Sequence, residues 1–431
     1  MEVALALLGT KGAQQTTMDD IAGGGGVSRA TLYQYFESKE QIFAELVEES
    51  GAALLRVLRR VGPLGADDAG FAAVQAWLAD WTVLYSRYSE VFAQWSAIEA
   101  LQRSRQSMLA GWMTNYVKRL TPLLGAADPS VVEPPQLAIA VWALFERSSF
   151  SMTRQSAGPQ QLSDLAVVVQ LMLFPDTPVT VLGSSMSAHP LPRGLEQAAA
   201  ERPTVEQASE QAAAGPPTDE QKRADAGGSR RHGGGPEALR TAERILDVGG
   251  RLFTIAGFHA VSVEQVARAA QVGRGTFYKY FDNKADLLGV LSVECSERMT
   301  ALGEALSERM ANEEPRRALG EWLEEFLAFH RVYAGVWRVW SDEPALVQGI
   351  VDRREAARDA LRRGLIRLVG AVARPYPLTD AAVAEILCSL LQRFPDQATG
   401  TAFACEPEES ALRLRLLIER AFLNIGSSEA R

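Results

Sequence analysis

At 431 residues the chain is too long for one ordinary core, and two or three domains of usual size are expected. Hydrophobic residues make up 47% and charged residues 23%, the balance of a folded globular protein and not of a disordered one. The net charge of −9 excludes nothing by itself, because binding of nucleic acid depends on a local basic patch; three scattered cysteines exclude a disulfide framework and a CxxC zinc site.

The first stretch, "VALALL", is apolar but far short of the roughly 18 residues a membrane span needs, and no basic patch precedes it. A membrane partner is not expected, and a reducing cytoplasm is the simplest location. Thr17 stands where a helix cap is needed. Four glycines then follow, Gly23 to Gly26, directly before "VSRATLYQYF". Glycine is about 1 kcal/mol worse than alanine inside a helix, so Gly23 to Gly25 should loosen the helix they end by about 2 to 3 kcal/mol. Gly26 belongs to the turn, where a left-handed conformation favours glycine. Ser28 caps the next helix.

Further on, Trp77, Trp81, Tyr85, Tyr88, Phe92 and Trp95 recur every three or four residues and share one helical face. Such a stripe is more often core than ligand box. If part of it lines an apolar pocket, Trp81, Tyr85, Tyr88 and Trp95 are the candidates. Two apolar helices, 136–153 and 162–174, complete this half. Residues 184–236 are poor in large apolar side chains and read as a flexible linker, with a transient helix near 205–214.

The chain then repeats itself. "VGRGTFYKYFDNK" from Val272 matches "VSRATLYQYFESK" from Val27 at seven of thirteen positions, an offset of 245 residues. The same offset aligns Trp77 with Trp322, so the stripe returns as Trp322, Phe326, His330, Tyr333, Trp337 and Trp340. Phe326, His330, Tyr333 and Trp340 are the matching ligand candidates. Leu144 and Arg147 in "ALFER" resemble Leu390 and Arg393 in "SLLQR" at an offset of 246, so the register slips by one. The closing helices of this half are placed at 380–394 and 408–425.

In the second copy "SVEQVARAAQ" opens on Ser262 with Gln265 three residues later, the spacing of a capping box. The helix after the turn points Phe277 and Phe281 inward and Arg274, Thr276, Tyr278, Lys279 and Tyr280 outward. Two short helices so joined form a helix-turn-helix, whose second helix enters the major groove. Arginine and lysine there reach guanine edges or phosphates, and threonine and tyrosine hydroxyls meet the backbone. Lys284, just past the helix, is placed for a phosphate. The matching residues in the first copy are Arg29, Thr31, Tyr33, Gln34, Tyr35 and Lys39. Tyrosine packing within the small domain is the competing reading for Tyr33, Tyr35, Tyr278 and Tyr280, and a merely solvated face the competing one for Arg29, Arg274 and Lys279.

Both copies resemble the DNA-binding domain of the TetR family of bacterial transcription regulators. The resemblance rests on the pattern V-S/G-R-x-T-L/F-Y-x-Y-F-x-x-K, present twice. It implies an all-α chain of two tandem units, each a small helix-turn-helix domain followed by a larger helical domain for ligand and dimerisation. The expected boundaries are 1–48, 49–183, the linker 184–236, 237–293 and 294–431. Implied contacts with an operator duplex fall on Thr17, Ser28, Arg29, Thr31, Tyr33, Gln34, Tyr35 and Lys39, and on Ser262, Arg274, Gly275, Thr276, Tyr278, Lys279, Tyr280 and Lys284. The implied function is a ligand-responsive repressor, its ligand small and apolar, with the two copies pairing in one chain as a pseudo-dimer or two chains forming a homodimer. No catalytic constellation, metal site or cofactor motif is expected.

Met1 aligns with Leu246, so the first copy lacks the counterpart of "PEALRTAERI". Either the true start lies upstream, or the first head is a degraded reader. In the second case the chain is a ligand-sensing or protein-interaction module in which the second head alone binds DNA.

Overall fold

The computed structural model describes residues 1–94, 98, 108–126, 132–155, 159–184, 236–342, 349–372, 374, 376, 378–400 and 407–423. Trp95, the linker stretch 185–235 with its expected helix, and the end of the last expected helix lie outside them. The described residues form helices and no strand. In chain order the helices are α1 Glu2–Thr10, α2 Gly12–Gln15, α3 Met18–Gly24, α4 Arg29–Tyr35, α5 Lys39–Leu58, α6 Asp68–Ala93, α7 Met108–Leu120, α8 Pro134–Gln155, α9 Pro159–Leu173 and α10 Val179–Ser184. The second copy supplies α11 Pro236–Ala256, α12 Val263–Ala269, α13 Arg274–Tyr280, α14 Lys284–Asn312, α15 Pro315–Asp342, α16 Val351–Gly370, α17 Asp380–Gly400 and α18 Pro407–Phe422.

Two compact units emerge, and they cut across the sequence copies. One holds Met1–Glu196 with Glu313–Gly320 and Leu365–Arg431; the other holds Gln197–Asn312 with Glu321–Gly364. The last two helices of the second copy therefore belong to the unit built on the first.

In the first unit, α1, α3, α4 and the start of α5 form a small head. The head docks on α6 through α1: the Gln94 side chain donates to the Leu8 carbonyl and accepts at 2.7 Å from the Ala13 backbone N–H. Behind it, Trp77 and Trp81 of α6 pack on Phe145 and Trp142 of α8, with Trp77 and Phe145 ring centroids 4.9 Å apart. The Trp81 indole N–H donates to Ser149 at 3.1 Å, so this large ring is buried with its polar atom satisfied. Helix α6 bends at Tyr88, whose φ of −110° and ψ of 17° leave the helical region.

Helices α8 and α9 also pack against α17 and α18. The seam is apolar, with Leu144, Phe145, Leu390, Leu391 and Phe394 all fully buried. Within it, Arg393 Nη2 lies 3.0 Å from Glu146 Oε1, both side chains only 11–12% exposed. Arg420 Nη2 donates to the Leu173 carbonyl at 2.8 Å, placing a cation at the C-terminus of α9 where the helix dipole favours it.

The second unit repeats the head with α11, α12, α13 and the start of α14, seated on α15. Gly335 of α15 meets the backbone of Phe253 so closely that a Cβ there would lie 2.3 Å from it, and Gly303 of α14 meets the backbone of Ala360 in α16 at the same distance. Any larger residue would force these helices apart. Helix α11 runs 21 residues against the 9 of α1, the difference expected from the alignment.

Candidate nucleic-acid interface

Each head is built by local rules that the two copies solve with different residues. Helix α3 opens on a capping box: the Asp20 backbone N–H donates to Thr17 Oγ1 at 3.2 Å and Thr17 N–H donates to Asp20 Oδ2 at 2.9 Å. Helix α12 opens on the same box from Ser262 and Gln265, with distances of 3.2 and 2.7 Å. Lys11 pairs with Asp20 and, together with Thr17, holds that carboxyl down at about 2.

The glycine run behaves partly as expected. Gly26 takes φ of 64°, and Gln271 at the same place in the second copy takes 54°, a left-handed conformation rare outside glycine. Gly23 and Gly24 do not break the helix. Helix α3 has seven residues, as α12 does, because its N-terminal box and its packing on α1 override the weak propensity. Gly24 even fits a close approach, since a Cβ there would lie 2.6 Å from Val3 Cγ1.

The second helix of each head buries one side and exposes the other. Leu32, Phe277 and Phe281 point inward. On the outer side stand Arg29, Tyr33, Gln34 and Tyr35 in the first head, and Arg274, Gly275, Tyr278 and Lys279 in the second, all exposed. Tyr35 is 72% exposed, so it does not pack the small domain; Tyr280, its counterpart, is half-buried. Thr31 and Thr276 are half-buried at the start of each helix. Ser28 caps α4 by accepting from the Thr31 N–H at 3.0 Å, whereas Gly273 gives α13 no side-chain cap.

Two lysines make contacts within their heads that spacing did not reveal. Lys39 Nζ donates to the carbonyls of Ala13 and Thr16 at 3.1 and 2.9 Å, and Lys284 Nζ to those of Phe258 and His259 at 2.7 and 3.4 Å. Lys284 also lies 4.3 Å from the centre of the Phe258 ring. Both ammonium groups thus satisfy carbonyls of the segment that leads into the helix-turn-helix, and they tie that segment to the start of α5 and α14.

Each head also carries an acid that the sequence reading passed over. Asp19 of α3 lies 3.0 Å from Arg29, and Glu264 of α12 lies 3.0 Å from Arg274. Each guanidinium sits over a tyrosine, Arg29 at 5.5 Å from the Tyr33 ring centre and Arg274 at 5.7 Å from that of Tyr278. The tyrosine and then the acid hold both arginines above their ordinary pKa. The signal was legible as an acid ten residues before each arginine, at the repeat offset.

The aromatic stripe is buried. Trp81, Tyr85, Tyr88, Phe326, His330, Tyr333 and Trp340 are all at most 5% exposed, and Phe326 stacks on Trp322 at 5.2 Å. Tyr88 donates to Glu49 at 2.7 Å and Tyr333 to Glu294 at 3.4 Å, the same bond between the last head helix and the stripe helix in both copies. Trp340 donates to Ser292 at 3.2 Å. Among the described residues no helix is long and apolar enough to cross a membrane, and no three His, Cys, Asp or Glu side chains converge as a metal site.

Comparison with known proteins converges on the two heads. A family model described as bacterial regulatory proteins, tetR family, matches residues 1–46 and again 245–291. The chain is 45% identical over 51 residues to the HTH-type transcriptional regulator AcrR of Shigella flexneri and 38% identical over 53 residues to the transcriptional regulator AcuR of Cereibacter sphaeroides. Each match covers 12% of this chain and 24% of the relative, so the chain spans about a quarter of the length of these curated relatives. Both matched segments fold as a helix-turn-helix on a helical body, which supports a TetR-type regulator with two TetR-like units.

Proposed function

We propose that the protein is a DNA-binding transcriptional regulator, a ligand-responsive repressor whose two heads read one operator as a single-chain pseudo-dimer. The observation that carries this reading is the repeated outward face: arginine, threonine and tyrosine at matching positions on α4 and α13, with Gln34 in one head where Lys279 stands in the other. Glutamine suits adenine and lysine suits guanine or phosphate, so the two half-sites should differ. Pairing within one chain is supported by the seam of α8 and α9 with α17 and α18 and its buried Glu146–Arg393 contact.

Ligand response is supported by the docking of each head on a stripe helix and by polar atoms inside the first helical body. The Tyr116 hydroxyl and the Trp77 indole N–H are buried with no hydrogen-bond partner among the described residues, and burial holds the phenol well above its ordinary pKa. A small, mostly apolar molecule with a hydrogen-bonding group would satisfy one of them, press on the packed helices around α6 and shift the head that α6 holds.

The second reading, a chain whose first head is silent, is favoured by one feature: Gly23 and Gly24 stand in the last turn of α3 where α12 has Arg268 and Ala269, and glycine holds a helix less well than either. Selection of sites from random duplex DNA by the full chain, at one stated salt concentration, separates the readings. Two unlike half-sites at fixed spacing support two active heads. One half-site supports a silent first head, a repeated identical half-site means two chains pairing through their second copies, and no enrichment rejects the regulator reading.

A further inference from the structure

A carboxylate on a surface that meets DNA is unfavourable, because phosphates repel it. Asp19 and Glu264 nonetheless stand beside the first residue of each outward helix, exposed at 64% and 49%, with an arginine drawn against each. Exposed ion pairs of this kind add little to folding. Stability therefore gives no strong reason for them, although the first turn of a helix does tolerate an acid.

The geometry suggests another role. In both heads the arginine is held from two sides, by the acid at 3.0 Å and by the tyrosine ring four residues on, and Arg29 Nη2 also reaches the Tyr33 hydroxyl at 3.4 Å. The acid is Asp in one head and Glu in the other, yet the distance is the same. A free arginine loses much rotamer freedom when it docks, and one already held in place loses less. The planar fork keeps further N–H groups for a base edge or a phosphate.

We propose that Asp19 and Glu264 are positioning residues that fix Arg29 and Arg274 in a docking-ready orientation before DNA arrives, giving up non-specific affinity for sequence discrimination. The proposal rests on the DNA-binding reading, but its first test does not. In the free full chain, ¹⁵N relaxation of the arginine Nε–H groups should show Arg29 and Arg274 more ordered than ordinary surface arginines, and Asp19→Asn or Glu264→Gln should release the arginine of its own head. Equal mobility in parent and variants would overturn the proposal.

The second test measures affinity for the selected site and for an unrelated duplex at one salt concentration. Each variant should bind the unrelated duplex more tightly while the ratio of specific to non-specific affinity falls roughly 2- to 10-fold. Asp19→Glu should restore the ratio, which loss of a helix-start charge alone would not explain. If both duplexes tighten by the same factor, the acids merely repel phosphate and the proposal fails. If the parent chain selects no site, the regulator reading fails, while the relaxation result still decides whether the arginines are held.

Discussion

Gly26 and Gln271 occupy the same turn, and their unlike side chains make a paired experiment. A non-glycine residue in the left-handed region is strained by about 1 kcal/mol or more. Gln271→Gly should therefore stabilise the second head by about 1 kcal/mol, and Gly26→Ala should destabilise the first by a similar amount. Gly23→Ala should do the reverse, raising stability by about 1 kcal/mol, because an added Cβ meets nothing within 4 Å. Gly24→Ala should gain less, since its Cβ would push on Val3. Amide exchange of α3 and α12 in the full chain measures each head separately, and a Gly23→Ala variant with unchanged protection would remove the propensity argument. At this scale most of the heads was legible: the caps, the turn and the inward aromatics follow from residue type and spacing. Lys39 and Lys284 were not, because the carbonyls they satisfy lie 23 to 26 residues earlier in the chain.

Helices α5 with α6 and α14 with α15 meet at a tyrosine–glutamate bond in each copy. In the second copy, burial first and the charge of Glu294 next push the Tyr333 phenol up to about 12. The unfolded chain releases this proton near pH 10. Between about pH 10 and 12 the native state thus holds a proton that the unfolded state has lost, so stability present below pH 10 falls as pH rises. Urea melts of the full chain from pH 8 to 11.5 should show that fall, and Tyr333→Phe should flatten it in part, Tyr376 being raised to about 12 as well. A parent and variant with the same slope would mean the tyrosine titrates normally. The element level also explains why the stripe could not be assigned from spacing alone. Periodicity of three and four places six aromatics on one face, but whether that face meets a neighbouring helix or an open pocket depends on the partner helix, and the indole bonds to Ser149 and Ser292 come from outside the stripe.

At the largest scale the first unit is organised by the seam of α8 and α9 with α17 and α18. Glu146 and Arg393 are nearly excluded from water there, and removing one partner of such a pair weakens the compensation of a buried charge. Glu146→Gln should destabilise the first unit by about 3 kcal/mol or more, and the exchange Glu146→Arg with Arg393→Glu should recover part of it. Denaturant midpoints of parent, single and double variants measure both effects. A single variant within about 1 kcal/mol of the parent would show that the apolar seam holds without the pair.

The sequence by itself determined the all-α class, the repeat at an offset of 245, the two helix-turn-helix heads and the outward identity of most candidate contacts. These are properties of local spacing and capping, and a repeated pattern restates them. Only the tertiary structure decided that the last helices of the second copy pack with the first, that Tyr35 stands in solvent while Lys39 and Lys284 brace the heads, and that an acid holds each outward arginine. Those outcomes depend on contacts between residues distant in sequence, which no local period encodes.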